Sequence, residues 1–228
     1  MKTALSAPTQ VAFHVAIFAR APVAGAAKTR LIPLLGPEGA ANAQRAMTLR
    51  ALQTASVAAP GGVSLWTAGD AAHPFFRECA ATYSVTMHSQ PEGDLGDRMR
   101  HCLESLLRRH QRVLLIGTDC QALTPDMLKR SAAAMQDGVR MVFTPAEDGG
   151  YVLVGAHADI GTHSLASAFT DIDWSTSRVM SQTRERLAGN GWKQDRNWAE
   201  MPASWDVDEP ADYWRACEAG LLQPPAAG

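Results

Sequence analysis

Short, branched apolar runs alternate with longer helical stretches through the first half of this chain, and that alternation limits the fold more than any other feature. Residues 11–18, 63–67 and 83–87 read as strands. Residues 36–58 and 71–81 between them read as helices, the first stopped by Pro60-Gly61-Gly62. A βαβαβ order requires parallel strands joined by right-handed crossovers. A fourth run, Val113-Leu114-Leu115-Ile116, has the composition of a strand buried on both faces. It leads into Gly117-Thr118-Asp119, which delivers a carboxylate to the carboxyl end of a strand, where open α/β sheets bind ligands. Taken alone, that stretch fits two accounts equally: Asp119 caps a turn, or it holds a divalent metal on a phosphate-bearing substrate.

The length of 228 residues suits one α/β domain, which buries a full core without covalent staples. A net charge of −2 with no basic stripe argues against nucleic acid as a partner. Cys79, Cys102, Cys120 and Cys217 are scattered, with no C-x-x-C pair, which fits a reducing cytoplasm rather than a disulfide framework or zinc site. Met1-Lys2 ahead of the apolar residues 11–19 has the outline of a secretion signal. His14 interrupts that run, however, and it leads directly into a loop of functional character, so a cytoplasmic location is expected. No stretch approaches the roughly 20 apolar residues of a membrane span.

Four loops carry the chemistry-bearing residues. After the first strand, Arg20, Lys28 and Arg30 flank Gly25 and Thr29, and a Gly-containing loop with cations is how a chain brings N–H groups and charge to a phosphate. It is not a Walker loop, because the Gly directly before the Lys is missing. A merely solvated surface loop is the alternative. Next, Gly93-Asp94-Leu95-Gly96-Asp97 precedes a helix over 97–110. The simple account is capping by Asp94 or Asp97; the functional one is a loop reading a nucleobase or ribose.

Thr124-Pro125 starts another helix, ending near 136–138, and 140–144 is the fifth strand. Glu147-Asp148-Gly149-Gly150-Tyr151 follows, where a Gly pair permits close approach of another group and an ordinary Asp-Gly hairpin turn looks the same. Five of the six tryptophans lie in the last third, as core and lid packing. Ser175-Thr176-Ser177 is expected to cap a helix over 178–187. Finally, Asp206-Val207-Asp208 places two carboxylates on one face of an extended segment, fit for one hard cation. Asp208 also suits the cap of a last helix over 210–220. Hydrolase chemistry has little support, since there is no G-x-S-x-G elbow.

Five stretches occur in a distinctive order: Phe18-Ala19-Arg20-Ala21-Pro22 with Gly25 and Lys28-Thr29-Arg30-Leu31, Gly93-Asp94-Leu95-Gly96-Asp97-Arg98-Met99, Gly117-Thr118-Asp119-Cys120, Pro145-Ala146-Glu147-Asp148-Gly149-Gly150-Tyr151 and Asp206-Val207-Asp208. Over roughly residues 11–215 the chain resembles a bacterial family of GT-A-like proteins, long labelled a domain of unknown function and described as glycosyltransferases. Some members are associated with arsenosugar biosynthesis. That family is related in fold to molybdopterin and phospholactate guanylyltransferases. Two departures stand out: Gln121 replaces the usual Pro after Cys120, which is expected to loosen the turn behind Asp119, and Ala26-Ala27 stand where a basic residue is common.

The resemblance implies a Rossmann-like GT-A fold, the nucleotide-diphospho-sugar transferase fold, with a mostly parallel sheet and helices on both faces. A single domain is expected over 11–220, with a nucleotide-binding part at about 11–145 and an acceptor part at about 146–220, between a disordered lead (1–10) and a flexible tail (221–228). The resemblance further implies that Gly25, Lys28 and Arg30 wrap the nucleotide phosphates, and that Asp119 with Asp206 or Asp208 holds Mg2+ or Mn2+. Arg20, Thr29, Asp94, Gly96, Asp97 and Thr118 would complete the nucleotide site. Glu147, Gly149, Gly150 and Tyr151 would lie by the acceptor, with Asp148 as base and Lys28 beside the leaving group. The expected activity is metal-dependent sugar transfer from a nucleotide donor to a small acceptor. Nucleotidyl transfer and non-catalytic nucleotide binding are the alternatives, and a homodimer is compatible with the chain.

Overall fold

The computed structural model describes residues 13–136 and 138–225. The expected disordered lead, the first two residues of the first expected strand, Asp137 and residues 226–228 of the expected tail lie outside that range. Seven strands are present among the described residues: β1 (His14–Arg20), β2 (Val63–Ala68), β3 (Thr86–Ser89), β4 (Arg112–Ile116), β5 (Met141–Pro145), β6 (Tyr151–His157) and β7 (Trp198–Glu200). They make one sheet in the order β3-β2-β1-β4-β6-β5-β7. β6 runs antiparallel to both of its neighbours, and every other pairing is parallel. The helices are α1 (Ile32–Ala58), α2 (Pro74–Tyr83), α3 (Leu95–Leu107), α4 (Pro125–Ala134), α5 (Thr162–Ser167), α6 (Val179–Gly189) and α7 (Pro210–Glu218).

Alternate residues of each strand enter opposite layers, which is why the strands read as unbroken apolar runs. Val15, Ile17, Leu65, Leu114 and Ile116 pack with Leu52, Phe75, Phe76 and Leu128 from α1, α2 and α4. Ala16, Trp66, Val113, Leu115 and Phe143 pack on the other face with Met99, Leu103, Phe169, Met180 and Leu187, which include residues of α3 and α6. A fully buried Leu52 or Phe75 contributes about 1.5–3 kcal/mol each, so these two layers rather than the loops carry the stability. A smaller third cluster joins Leu31, Ala43, Met47, Val207, Tyr213 and Leu222, tying α7 to α1.

Several boundaries differ from expectation for identifiable reasons. α1 begins at Ile32, and Gly36, at φ 69° and ψ 170°, kinks it rather than starting it. α2 continues to Tyr83, where Ser84 in the left-handed region ends it, which pushes β3 on to Thr86. Ser175-Thr176-Ser177 does not cap α6, since that helix starts at Val179 with Arg178 before it and no side-chain cap. Glu209, in a capping box with Asp212, caps α7, so Asp208 is left free for another role. β7 and α5, three and six residues long, carry too little periodicity to be read from sequence.

Candidate active site

The chain leaves β1 toward β2 and leaves β4 toward β5, so the sheet order reverses between the adjacent strands β1 and β4. Doubly wound sheets place ligands in the crevice beyond the carboxyl ends at such a reversal, and the loops after β1 and β4 meet there, Lys28 on Asp119. The loop after β1 forms its first wall. Ala26 and Ala27 both donate N–H groups to the Val23 carbonyl, Gly25 supplies φ 78°, and Ala27 is buried beneath the loop. Lys28 follows at φ 46°, ψ 50°, a conformation few non-glycine residues adopt.

Lys28 is the centre of the site. Its Nζ donates to the Val207 carbonyl oxygen at 2.7 Å and to Asp208 Oδ1 at 2.8 Å, and lies 3.0 Å from Asp119 Oδ1. Three donors thus meet three oxygens, with the side chain 9% exposed. Burial alone would lower the lysine pKa, but Asp119 and Asp208 reverse that effect and raise it. The ammonium expected to face a phosphate is therefore engaged with protein oxygens in this state. Arg30 is exposed and held loosely, 3.8 Å from Asp208 and 3.6 Å from Glu209, and Arg20 ends β1 on the surface. Thr29 is exposed at the start of a 3-10 turn.

The second wall comes from β4 and the segment before α7. Thr118 is buried and directs its hydroxyl at Asp119 Oδ1 from 3.2 Å. The Val207 N–H donates to the Asp119 carbonyl oxygen at 3.1 Å. Val207 is fully buried, so Asp206 and Asp208 share the opposite face of the extended segment. The carboxyl of Asp206 is pushed up to about 6 by burial first, then by Asp148 and Asp208, with Asp119 adding a smaller effect. Gln121 does not loosen the turn as expected. Its Nε2 donates to the Thr118 carbonyl at 2.7 Å and so stitches the turn closed, with Arg50 in turn donating to the Gln121 carbonyl.

The turn between β5 and β6 completes the crevice. It is a hairpin turn and stands at the same sheet edge as Asp119. Asp148 Oδ1 accepts the Gly150 N–H at 2.9 Å. Glu147 is gripped by both guanidinium nitrogens of Arg215 at 2.7 and 3.1 Å, which holds its carboxyl below the usual range. Gly149 accepts the Met180 N–H, fastening the turn to α6. Tyr151 points its hydroxyl at Met99 Sδ and packs edge-on against Phe143 and Trp174. Trp174 itself lies against Gly96 at the start of α3.

The structure thus brings Lys28, Arg30, Thr118, Asp119, Asp148, Asp206 and Asp208 together. It does not join Asp94 or Asp97 to them: among the described residues, no hydrogen bond or ion pair links either to the Lys28 cluster. Asp94 caps α3 through the Asp97 N–H at 2.8 Å, and Asp97 lies 3.6 Å from Arg100. Gln44 and Arg215 escaped the sequence reading: each acts from a helix remote in sequence, and neither sits in a motif. In the sequence Gln121 reads only as a departure from a motif and Trp174 only as packing.

No group of three or more His, Cys, Asp or Glu among the described residues is arranged to cage a metal. Mg2+ at nucleotide sites is commonly held by only one or two carboxylates plus substrate phosphates, and the donor set here fits that mode. Asp119 and Asp208 share one ammonium, so their Oδ1 atoms lie within about 6 Å of each other. Four carboxylates (Asp119, Asp148, Asp206 and Asp208) face two cations, Lys28 and Arg30. Burial first, and then the repulsion of Asp148 and Asp208, raises the Asp206 carboxyl.

Comparison with solved structures gives the same architecture. A protein of Desulfovibrio desulfuricans G20, provisionally described as a nucleotide-diphospho-sugar transferase, superposes with a TM-score of 0.74 at 25% identity, over 88% of this chain and 84% of that one. A nucleotidyl transferase from Methanothermobacter thermautotroptrophicus matches with a TM-score of 0.62 at 14% identity, over 93% and 99%. Glucosyl-3-phosphoglycerate synthase from Mycobacterium tuberculosis, solved with Mn2+, UDP and glucosyl-3-phosphoglycerate, matches with a TM-score of 0.54 at 10% identity, over 93% and 77%. No sequence among curated proteins matches. No described helix is long and apolar enough to cross a membrane. The fold is that of nucleotide-diphospho-sugar transferases, and residues 48–176 match the profile described as "Uncharacterized protein conserved in bacteria (DUF2064)", the family to which the chain belongs.

Proposed function

We propose that this protein is a metal-dependent glycosyltransferase that moves a sugar from a nucleotide-diphosphate donor to a small acceptor hydroxyl. The observation that carries the choice over nucleotidyl transfer is the charge of the acceptor side. Glu147 and Asp148, which this reading assigns to the acceptor side, stand beside the Asp206 and Asp208 carboxylates, and the cation near them, Arg215, is committed to Glu147. A phosphorylated acceptor, the nucleophile of the nucleotidyl alternative, would be repelled there; a neutral hydroxyl would not.

In this reading the donor diphosphate lies in the β1/β4 crevice. Asp119 with Asp208 or Asp206 would hold Mg2+ or Mn2+, which as a Lewis acid offsets the charge developing on the leaving diphosphate. Arg30 reaches that diphosphate, and Lys28, released from one of its oxygens, adds a second positive charge. The acceptor oxygen forms its bond to the anomeric carbon as the sugar–phosphate bond breaks and its electrons leave with the diphosphate. Asp148 takes the acceptor proton. The 93–97 loop and Arg20 lie on the nucleotide side, and Gly149, Gly150 and Tyr151 on the acceptor side.

The test is a panel of nucleotide sugars and nucleoside triphosphates with Mn2+, monitored by thermal shift and by release of nucleoside diphosphate or pyrophosphate. Stabilisation by a nucleotide sugar, with diphosphate release that Asp119→Ala abolishes, is expected. Pyrophosphate release that depends on a phosphorylated acceptor would sink the glycosyl reading in favour of nucleotidyl transfer.

A further inference from the structure

Behind Asp119, on its buried side, lies Gln44 of α1, 4% exposed. Its Nε2 stands 3.2 Å from Thr48 Oγ1 and 3.1 Å from Thr118 Oγ1. What the hydroxyls do elsewhere fixes the direction of each bond. Thr48 gives its only hydroxyl hydrogen to the Gln44 carbonyl oxygen at 2.8 Å, so toward the Gln44 side chain it only accepts. The amide nitrogen, not the amide oxygen, must therefore face it. The second amide hydrogen goes to Thr118 Oγ1, which turns its own hydrogen onto Asp119 Oδ1. The polarity runs one way, from the helix to the carboxylate. Gln121, donating to the Thr118 carbonyl, holds the backbone of the intermediate residue still.

We infer that Gln44 is a positioning residue for Asp119, acting through the Thr118 hydroxyl; the inference rests on the reading of Asp119 as a metal-holding carboxylate. Thr118 and Lys28 both address Oδ1. The carboxylate is thereby locked against rotation, and Oδ2 is the oxygen presented to a hard cation. A ligating carboxylate left without its outer partner swings freely, and such losses typically cost tenfold or more in metal affinity.

The experiment titrates Mn2+ alone into the wild-type chain and into Gln44→Leu, Thr118→Val, Thr118→Ser and Asp119→Ala. Free Mn2+ is read from its paramagnetic resonance signal, and thermal unfolding of the apo proteins is followed alongside. Gln44→Leu and Thr118→Val are expected to weaken Mn2+ binding about tenfold, while Thr118→Ser, which keeps the hydroxyl, stays near wild type. Gln44→Leu carries the test alone if Thr118→Val does not fold. A purely structural role would lower the melting temperatures and leave the Mn2+ affinity of the folded variants unchanged, which would overturn the inference. Asp119→Ala separates the two layers of the argument. If it binds Mn2+ as wild type does, the metal reading itself falls and the relay with it. If it alone loses Mn2+, the metal reading stands and the relay does not.

Discussion

Gly149 and Ser177 are packed backbone to backbone. A Cβ placed on Gly149 would lie 2.1 Å from the Ser177 carbonyl oxygen, and Gly149 itself has φ 95°. Neither side can yield easily, because the Met180 N–H anchors the Gly149 carbonyl. Gly149→Ala is therefore expected to destabilise the protein by about 2–4 kcal/mol, measured by urea unfolding. A loss below about 0.5 kcal/mol would mean that the turn and the segment before α6 stand apart in solution.

Lys28 neutralises Asp119 and Asp208 through their Oδ1 atoms, so a divalent ion approaching the same carboxylates would compete with it for their negative charge. Lys28→Met removes that competitor and leaves the two carboxylates facing one another. The apo protein should lose about 1–3 kcal/mol of stability, less than for a wholly buried pair because both carboxylates are two-fifths exposed. Bare Mn2+ should bind roughly an order of magnitude more tightly and restore the melting temperature. Calorimetry decides the sign: weaker Mn2+ binding by Lys28→Met would show that the lysine sets the geometry of the carboxylates instead of competing for them.

Gly96 is pressed against Trp174, whose Cζ2 would lie 2.5 Å from an added Cβ. Gly96→Ala should cost about 1–3 kcal/mol and shift the indole emission, and Trp174→Leu in the same chain should recover part of the loss. A double-mutant cycle measures the coupling, expected to exceed about 0.5 kcal/mol. Strict additivity would remove the contact from consideration.

His14 makes the fold sensitive to acid. It is buried, hydrogen-bonded through Nε2 to Ser64 and stacked on His110 at 4.4 Å, and its Nδ1 has no partner. Burial, then His110 and His88, depress its pKa to about 4 from 6.5, while His88 and His110 are lowered by burial and by Arg109. The folded state keeps His14 neutral and the unfolded chain protonates near 6.5. Stability contributed above that pH is therefore lost as pH falls from about 6.5 to 4, by about 3 kcal/mol at most. His14→Gln should flatten the urea midpoint over that window, and an unchanged slope would point to carboxylates as the source.

Much of this architecture was legible because it rests on runs that mean one thing. Branched stretches such as residues 113–116, buried on both faces, have few alternatives to a central strand, and their alternation with helices fixes the parallel sheet. That Asp206 and Asp208 share a face was legible for a simpler reason, since an extended chain must put alternate side chains on one face; their meeting with Asp119 was implied only by the family resemblance. What could not be read was the third dimension. Nothing in the loop sequence says that Lys28 adopts a left-handed backbone and is spent on three oxygens. Gln121 looked like a defect in a motif, and its compensating bond to the Thr118 carbonyl exists only after folding. Gln44 lies in an Ala-rich helix 74 residues before its partner Thr118, so no local pattern marks it.

Val207 ties the two acidic segments together with its own peptide groups, its N–H on Asp119 and its carbonyl on Lys28. On the Val207 side both bonds use only peptide groups; the partner is the Asp119 carbonyl in one and the Lys28 ammonium in the other. A mutation at 207, proline apart, can crowd or hollow the cluster beneath it but cannot delete either bond, so the spacing of the carboxylates is inherited from peptide geometry. The carboxylates can then be exchanged one at a time while the Val207–Asp119 backbone hydrogen bond that spaces them stays fixed, which leaves a fold of this kind free to change its cargo without rebuilding its grip.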